Sequence, residues 1–289
     1  MIVPFPPGST PDVSARAAAA HFTTAFGQPF VAENRPGAGG TIGVDAVAKA
    51  TDGHTIGVTI SSGLTTARAL YPALPYDPVR DLAPVSMLVR AAQLLVVRGD
   101  LPARDVAGFV ELARRGPLTY GSTGNGTASH LAMEGLKARV GGNLTHVTYR
   151  GFPQLAPDLM AGRVDASFAI AAAFLPLLRE GKLRALGVTA DRRIPGAPEV
   201  PTMAEAGQPG LESFAWIGLV APAAMPEATR AALEREAARG MAVPETRAAL
   251  ERAGFEVVGG TAAEFRDWAA RETREWGDLI TRLGIQADG

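Results

Sequence analysis

Short apolar runs alternate with segments of helical periodicity along most of the chain. The runs predict strands at 29–33, 55–60, 87–98, 117–120, 144–149, 164–170, 184–189 and 214–220. The periodic segments predict helices at 11–26, 104–115, 128–140, 153–161, 227–240, 244–253 and 261–283, with another that ends at Ala50. Such alternation indicates an α/β fold with a mainly parallel sheet and helices on both of its faces. Residues 166–178 are apolar but contain Pro176, and they suit a buried strand followed by a loop.

Two strand-to-helix turns are rich in small residues. The first joins the apolar start 2–5 to the helix at Pro11, and the second is the sequence 121–127 before the helix at Ala128. The first N–H groups of a helix have no partner within it, and the helix dipole makes the same place electropositive. Glycines and hydroxyl side chains at such a turn favour an anion site. An ordinary glycine-rich turn explains the same residues, with Ser9 or Thr10 as the cap of the first helix and Thr127 or Ser129 as the cap of the second.

Three other loops each allow a binding interpretation and a structural one. The glycines at 37–43 do not satisfy G-x-G-x-x-G, because Ile42 stands where the third glycine belongs, so we predict close helix–sheet packing there. Ser61 and Ser62 follow a predicted strand and are either ligand contacts or solvated loop residues. Arg150 can hold a carboxylate in a bidentate fork, or it can lie on the surface and cover apolar area.

Composition and charge exclude several classes of function. The chain has 289 residues, 47% of them hydrophobic and 20% charged, which describes a globular protein of one large domain or two lobes. Its formal net charge of -1 gives no global attraction for nucleic acid, so no nucleic-acid partner is predicted. With no cysteine, the chain has neither disulfides nor thiolate metal sites. It begins inside what resembles a core strand, without a secretory signal, so we expect an upstream segment.

Reactive side chains are scarce beside the candidate loops. The four histidines show no metal-ligand spacing, and His130, in the first turn of a helix, is expected to be neutral and structural. The motifs of serine hydrolases, zinc proteases and P-loop proteins are absent. We therefore predict no catalytic residue, no metal and no cofactor. Loops suited to an anion combined with few reactive groups favour a binding protein over an enzyme.

Over nearly its whole length the chain resembles the solute-binding proteins of tripartite tricarboxylate transporters, the Bug family. The motifs that carry the resemblance are VPFPPGSTPDVSAR (3–16), ENRPGAGGTIGVDAVAKATDGHT (33–55), YGSTGNGTASHLAMEGL (120–136), THVTYRG (145–151), DLMAGRVDASF (158–168), GKLRALGVTADRR (181–193), VPTMAEAG (200–207) and WIGLVAPAAMP (216–226). Each motif is weak by itself, but their number and order make the resemblance specific.

The resemblance implies a two-lobed, periplasmic-binding-protein-like fold of the Venus-flytrap type, with two crossover hinge strands. Residues 1–100 and 214–289 would form the first lobe and residues 101–213 the second, with the ligand cleft between them. The protein would be a periplasmic monomer that captures a small carboxylate and presents it to the membrane components of the transporter. Two rivals are an enzyme on the same scaffold and a cytosolic sensor module.

The resemblance also implies which residues bind the ligand. In the first lobe they are Pro7, Gly8, Ser9, Thr10, Asp12, Ser61 and Ser62, with Trp216 near a hinge. In the second lobe they are Ser122, Thr123, Gly124, Asn125, Gly126, Thr127, Tyr149, Arg150, Gly151, Ala169 and Ala171. Two differences from the family pattern affect the expectation. Pro11 would stiffen the first loop, and the alanines at 171–173 would leave a roomy, apolar end to the pocket.

Overall fold

A computed structural model describes residues 1–252 and 254–286, with Ala172 described by its backbone only. The chain divides into two compact units. Unit 1 comprises Met1–Arg90 and Trp216–Gly289, and unit 2 comprises Ala91–Ala215. The chain passes from unit 1 to unit 2 within a strand at Leu82–Arg98, β4, and returns within a strand at Phe214–Pro222, β9. β4 contains the predicted apolar run 87–98, and β9 contains the predicted run 214–220.

Unit 1 holds the N-terminal third of the chain and the C-terminal tail. Its elements are β1 Ile2–Val3, α1 Thr10–Phe26, β2 Glu33–Asn34, α2 Thr41–Ala48, β3 Gly57–Thr59, α3 Ser61–Leu64, α4 Ala67–Leu70, α9 Glu227–Ala242, α10 Pro244–Arg252, β10 Glu256–Val257 and α11 Ala262–Leu283. Strands β2, β1 and β3 are parallel neighbours, and β9 adds to β3 in the antiparallel direction. The predicted end of α10, Ala253, lies outside the described residues, as do residues 287–289 of the predicted first lobe.

Unit 2 alternates helices and strands. After β4 come α5 Val106–Arg115, β5 Leu118–Ser122, α6 Ala128–Val140, β6 Leu144–Thr148, α7 Phe152–Met160, β7 Ala166–Ile170, α8 Ala171–Arg179 and β8 Leu183–Val188. Strands β6, β5 and β7 are parallel, whereas β7 and β8 pair with β4 in the antiparallel direction. The predicted mainly parallel sheet is therefore wrong in this respect. Both sheets contain parallel and antiparallel pairs, because β4 runs antiparallel to β7 and β8, and β9 runs antiparallel to β3.

The unit 2 sheet is buried on both faces, as the alternation of elements predicted. Leu95 and Val97 of β4 pack in a core with α5 and α6, whereas Leu94 and Val96 pack in a second core with α7 and α8. Alternate residues of a strand point to opposite faces, so one strand supplies both cores. The carboxyl ends of the parallel strands β5, β6 and β7 are thereby held on a rigid base.

Two local expectations are corrected. Residues 29–33 were predicted as a strand, but the ladder contains only the two residues Glu33 and Asn34. Residues 171–178 were expected to be a loop, but helix α8 begins directly after β7 and contains Pro176. The close helix–sheet packing predicted at 37–43 is present. A Cβ atom at Gly43 of α2 would lie 2.8 Å from the Cα atom of Pro4 and 2.9 Å from the carbonyl oxygen of Arg35.

Candidate functional site

The glycine-rich loop of unit 2 connects the buried end of β5 to the start of α6. Gly124 and Gly126 have φ angles of 131° and 71°, which residues with a side chain rarely adopt. Thr127 has the extended conformation of a helix-capping residue, with φ -71° and ψ 158°, but its side chain caps no N–H group of α6. Its hydroxyl instead donates to the carbonyl oxygen of Gly124 at 2.7 Å.

The loop before α1 in unit 1 has the same character. Ser9 is the capping residue, with φ -69° and ψ 161°, and it also caps no N–H group. Its Oγ atom is buried and has no hydrogen-bond partner among the described residues. A buried hydroxyl without a partner destabilises the folded protein. A ligand that accepts a hydrogen bond from Ser9 would remove this cost.

Asp12 braces this loop. Its carboxylate accepts hydrogen bonds from the backbone N–H of Gly8 at 2.9 Å, from Nδ2 of Asn34 at 2.8 Å and from Nε of Arg16 at 3.0 Å. Burial acts to raise the pKa of Asp12, but the hydrogen bonds from Arg16, Gly8 and Asn34 outweigh it and lower the pKa. The side chain is thus an ionised brace, and direct contact with a ligand stays a prediction.

Two other helices show what a completed cap looks like in this chain. At α5, Asp105 Oδ1 accepts from the N–H of Gly108 at 2.7 Å. At α11, Thr261 and Glu264 form a reciprocal capping box. By contrast, α1 and α6 start with a serine or threonine in the right conformation that makes no such bond. The capping residue therefore provides no side-chain acceptor for the first-turn N–H groups of these two helices, and another acceptor can bind there.

A stack of three rings that the sequence analysis missed lies beneath the unit 2 loop. The ring centroids of Tyr120 and His146 are 4.8 Å apart, and those of His146 and His130 are 4.2 Å apart. His146 Nε2 lies 2.6 Å from Ser122 Oγ, and His130 Nδ1 accepts from the N–H of Gly126 at 3.1 Å. The acceptor role of Nδ1 agrees with the neutral, structural His130 that was expected. The sequence shows that Tyr120 and Ser122 lie on the same face of β5, because alternate residues of a strand share a face. It does not show that His146 lies beside Tyr120, which follows only from the register of β5 on β6.

The remaining predicted residues of unit 2 lie at the ends of β6 and β7. The Tyr149 hydroxyl donates to Asp158 Oδ2 at 2.8 Å, and burial together with this bond raises the pKa of Tyr149 to about 12. Arg150 is exposed and makes no ion pair with the residues that the structure describes. Gly151 precedes α7. Ala169 is a fully buried residue of β7, inside the strand predicted at 164–170, and Ala171 opens α8, where a loop was expected.

In unit 1, Ser61 and Ser62 open the short helix α3 and are both buried, so they are not solvated loop residues. Ser62 Oγ donates to the carbonyl oxygen of Gly39 at 2.5 Å. Pro7 is exposed at the loop tip, and Thr10 is the first residue of α1. The helix thus starts one residue before Pro11, where the sequence had placed its first position.

Trp216 is held inside unit 1 by a buried carboxyl group. Its Nε1 donates to both oxygens of Glu272 at 2.9 Å, and Thr65 Oγ1 donates to the same group at 2.8 Å. Trp268 and Trp276, one turn to either side on α11, act on this carboxyl as well. Burial outweighs these hydrogen bonds and raises the pKa of Glu272 to about 7. The indole N–H of Trp216 therefore already has an acceptor within the chain, the carboxyl group of Glu272.

Two further observations concern the described residues only. No group of three or more His, Asp or Glu side chains among them is placed to hold a metal ion. None of their helices combines the length and apolar character needed to cross a membrane.

Comparison with known proteins decides the family. The family model of the tripartite tricarboxylate transporter family receptor matches residues 14–285. The chain belongs to this family. Protein BugT of Bordetella pertussis is 35% identical to it over 293 residues, which cover 99% of this chain and 89% of that protein. The resemblance to the Bug proteins is thereby confirmed.

Solved structures of the family confirm the predicted two-lobed α/β fold. R. palustris Rpa4515, solved with adipate, matches with a TM-score of 0.90 and 34% identity, over 98% of this chain and 96% of that chain. MatC from Rhodopseudomonas palustris, solved with bound malate, matches with a TM-score of 0.87 and 32% identity, over 96% and 97% of the two chains.

Proposed function

We propose that this receptor-family protein is a periplasmic solute-binding protein that captures a small dicarboxylate of the size of malate or adipate. It delivers the ligand, as a monomer, to the membrane components of a tripartite tricarboxylate transporter, and it does not transform the ligand. Family membership supports the transport role, and the ligands named in the two related structures support the chemical class. Neither nucleic acid nor a cofactor takes part.

The observation that carries the proposal is that Ser9 and Thr127 have the capping conformation at the starts of α1 and α6 but cap no N–H group. In the proposed complex, carboxylate groups accept from the first-turn N–H groups of α1 and α6 and from the hydroxyl of Ser9. A helix end contributes about 0.3–1 kcal/mol, or ~2 kcal/mol in a partly buried site. Micromolar binding needs about 8 kcal/mol, so several hydrogen bonds and burial of the aliphatic carbons must supply the rest.

The contact between Ser122 and His146 is the feature that most resembles a catalytic pair. A nucleophilic hydroxyl has to reach a substrate, whereas Ser122 is 0% exposed and its Oγ also contacts the backbone of Gly124. This burial favours a structural role and supports a binding protein over an acyl-transfer enzyme.

Calorimetry tests the binding proposal. Adipate and malate are titrated into the protein, with butylamine as a cationic control of similar size. We expect saturable binding of at least one dicarboxylate and none of the amine. Proton NMR of the bound acid after prolonged incubation should show the acid unchanged. Absence of binding across a panel of C4 to C6 dicarboxylates would contradict the proposal, and a new product would establish the enzyme alternative.

The transport role needs a separate experiment. Uptake of the radiolabelled acid is measured in Gram-negative cells that carry the membrane components, with and without this protein exported to the periplasm. We expect uptake only when the protein is present. Equal uptake in both cultures would contradict the delivery step while leaving the binding result intact.

A further inference from the structure

The ring stack contacts the glycine-rich loop at both of its ends. His146 Nε2 meets Ser122 Oγ where the loop leaves β5, and His130 Nδ1 meets the N–H of Gly126 just before α6 begins. The two imidazole planes are nearly parallel, with an angle of 12° between them. One pair of stacked rings therefore fixes the distance between the two ends of the loop.

The bond to Gly126 sets the protonation state of His130. A backbone N–H can only donate, so Nδ1 of His130 has to present its lone pair, and the ring carries its single proton on Nε2. A second proton on Nδ1 would place two donors against each other and break this bond. With His146 at a centroid distance of 4.2 Å, a charge on one ring also disfavours a charge on the other.

The stack is connected to two charged groups through Tyr120. On β5, the Tyr120 hydroxyl donates to Glu134 Oε1 at 2.6 Å, and on α6 Lys137 lies 3.4 Å from the same oxygen. Glu134 is thus engaged by two donors. His130 itself is 3% exposed, so water cannot replace the bond that protonation would break.

We propose that His130 and His146 are positioning residues for the anion-binding loop, and that they hold it in its binding geometry only while His130 is uncharged. This inference rests on the proposed function, because it concerns the same loop. Acidification that protonates His130 would release Gly126 and loosen the start of α6. Affinity for a dicarboxylate would then fall in acid, even though a positive charge alone would attract an anion.

Two variants separate the proton from the shape of the side chain. In His130→Asn, Oδ1 takes the place of Nδ1 and can accept from Gly126 without titrating; His130→Leu removes the acceptor. His54→Asn, at an exposed turn of unit 1, is the matched control. Adipate dissociation constants are measured at pH 7.5, 6.5, 5.5 and 5.0 for all four proteins, with circular dichroism to verify folding. Protonation of adipate affects every protein equally and cancels in their ratios.

We expect His130→Asn to match the wild type at pH 7.5 and to bind about tenfold more tightly than it at pH 5.0, since one hydrogen bond is at stake. His130→Leu should bind about tenfold more weakly at pH 7.5. The His54→Asn profile should follow the wild type. A constant ratio between the wild type and His130→Asn across this range would overturn the proposal.

A second readout needs neither ligand nor variant. The backbone amide resonance of Gly126 in the unliganded protein should shift with the same midpoint as the His130 ring resonances. If no dicarboxylate binds, the proposed function fails, and the Gly126 titration alone decides whether the histidines position the loop. A Gly126 resonance that does not respond while His130 titrates would overturn this inference, whatever the binding result.

Discussion

At the scale of single residues, the two candidate loops are distinguished by hydroxyls that do not cap. The Ser9 hydroxyl is buried and makes no hydrogen bond within the described chain, so Ser9→Ala should leave the free energy of unfolding unchanged or raise it by up to about 1 kcal/mol. The same change should weaken dicarboxylate binding about ten- to hundredfold, because a bond to a charged acceptor is lost. Urea unfolding and calorimetry measure the two effects.

Thr261→Ala is the matched control for Ser9→Ala. It removes a working cap from α11, so it should lower the free energy of unfolding by about 1 kcal/mol and leave the affinity unchanged. If Ser9→Ala bound the ligand as tightly as the wild type does, the proposed contact with α1 would be wrong.

Glu272 makes stability depend on pH. Its pKa is about 7 in the folded protein and 4.5 in a model peptide, so the folded state holds the proton more tightly. The stabilisation from this proton is complete below about pH 4.5 and is lost as the pH rises through 7. The loss is on the order of 3 kcal/mol.

Replacing Glu272 by glutamine removes this titration and keeps an oxygen for Trp216. We expect Glu272→Gln to gain stability relative to the wild type as the pH rises from 5 to 8, by urea unfolding at each pH. Subtracting the two proteins cancels every other titrating group. A difference that is constant with pH would show that Glu272 does not hold a proton in the folded state.

At the scale of elements, helix α2 lies so close to β1 that only glycine fits at one point of contact. A Cβ atom on Gly43 would meet backbone atoms of Pro4 and Arg35, which cannot rotate away. Gly43→Ala should therefore cost about 1–3 kcal/mol of unfolding free energy. Gly277 in α11 has nothing within 4 Å of the same position, so Gly277→Ala should stabilise by about 0.5–1 kcal/mol. Thermal unfolding compares them, and equal effects would refute the packing argument.

Alternating apolar runs and helical segments predicted most elements. Helix α6 was predicted over 128–140 and is observed as Ala128–Val140. One miss has a physical cause. Helix α8 is apolar over most of its length and contains Pro176, so it has no helical stripe in the sequence. Strand β4 begins at Leu82, five residues earlier than predicted.

The candidate site was predictable where it consists of continuous loops, but not where it depends on contacts between separate elements. The glycine-rich loop and the loop before α1 are continuous in sequence, and their composition signals a turn into a helix. The ring stack joins Tyr120, His130 and His146 from three elements, and only the register of β5 on β6 brings them together. Likewise, Glu272 meets Trp216 and Thr65 across 56 and 207 residues of sequence, where no periodic pattern can reveal a pair.

At the scale of the whole molecule, a net charge of -1 provides no long-range field for an anion. Binding through backbone and hydroxyl donors should therefore be nearly independent of salt. We expect the adipate dissociation constant to rise less than about threefold between 50 and 500 mM NaCl, since only exposed charges are screened. Arg150→Ala should weaken binding by tenfold or less at low salt and remove this residual dependence. A steep salt dependence in the variant would contradict binding by neutral donors.

The arrangement around Glu272 has a spectroscopic consequence. The chain has three tryptophans, all of them lie in unit 1, and all act on this one carboxyl. Intrinsic tryptophan emission is thus a local probe that cannot observe unit 2, whereas circular dichroism observes the helices of both units. Thermal curves from the two methods will coincide only if both units melt in one transition. In the folded protein, ionisation of Glu272 near neutral pH should alter the quantum yield of all three indoles together.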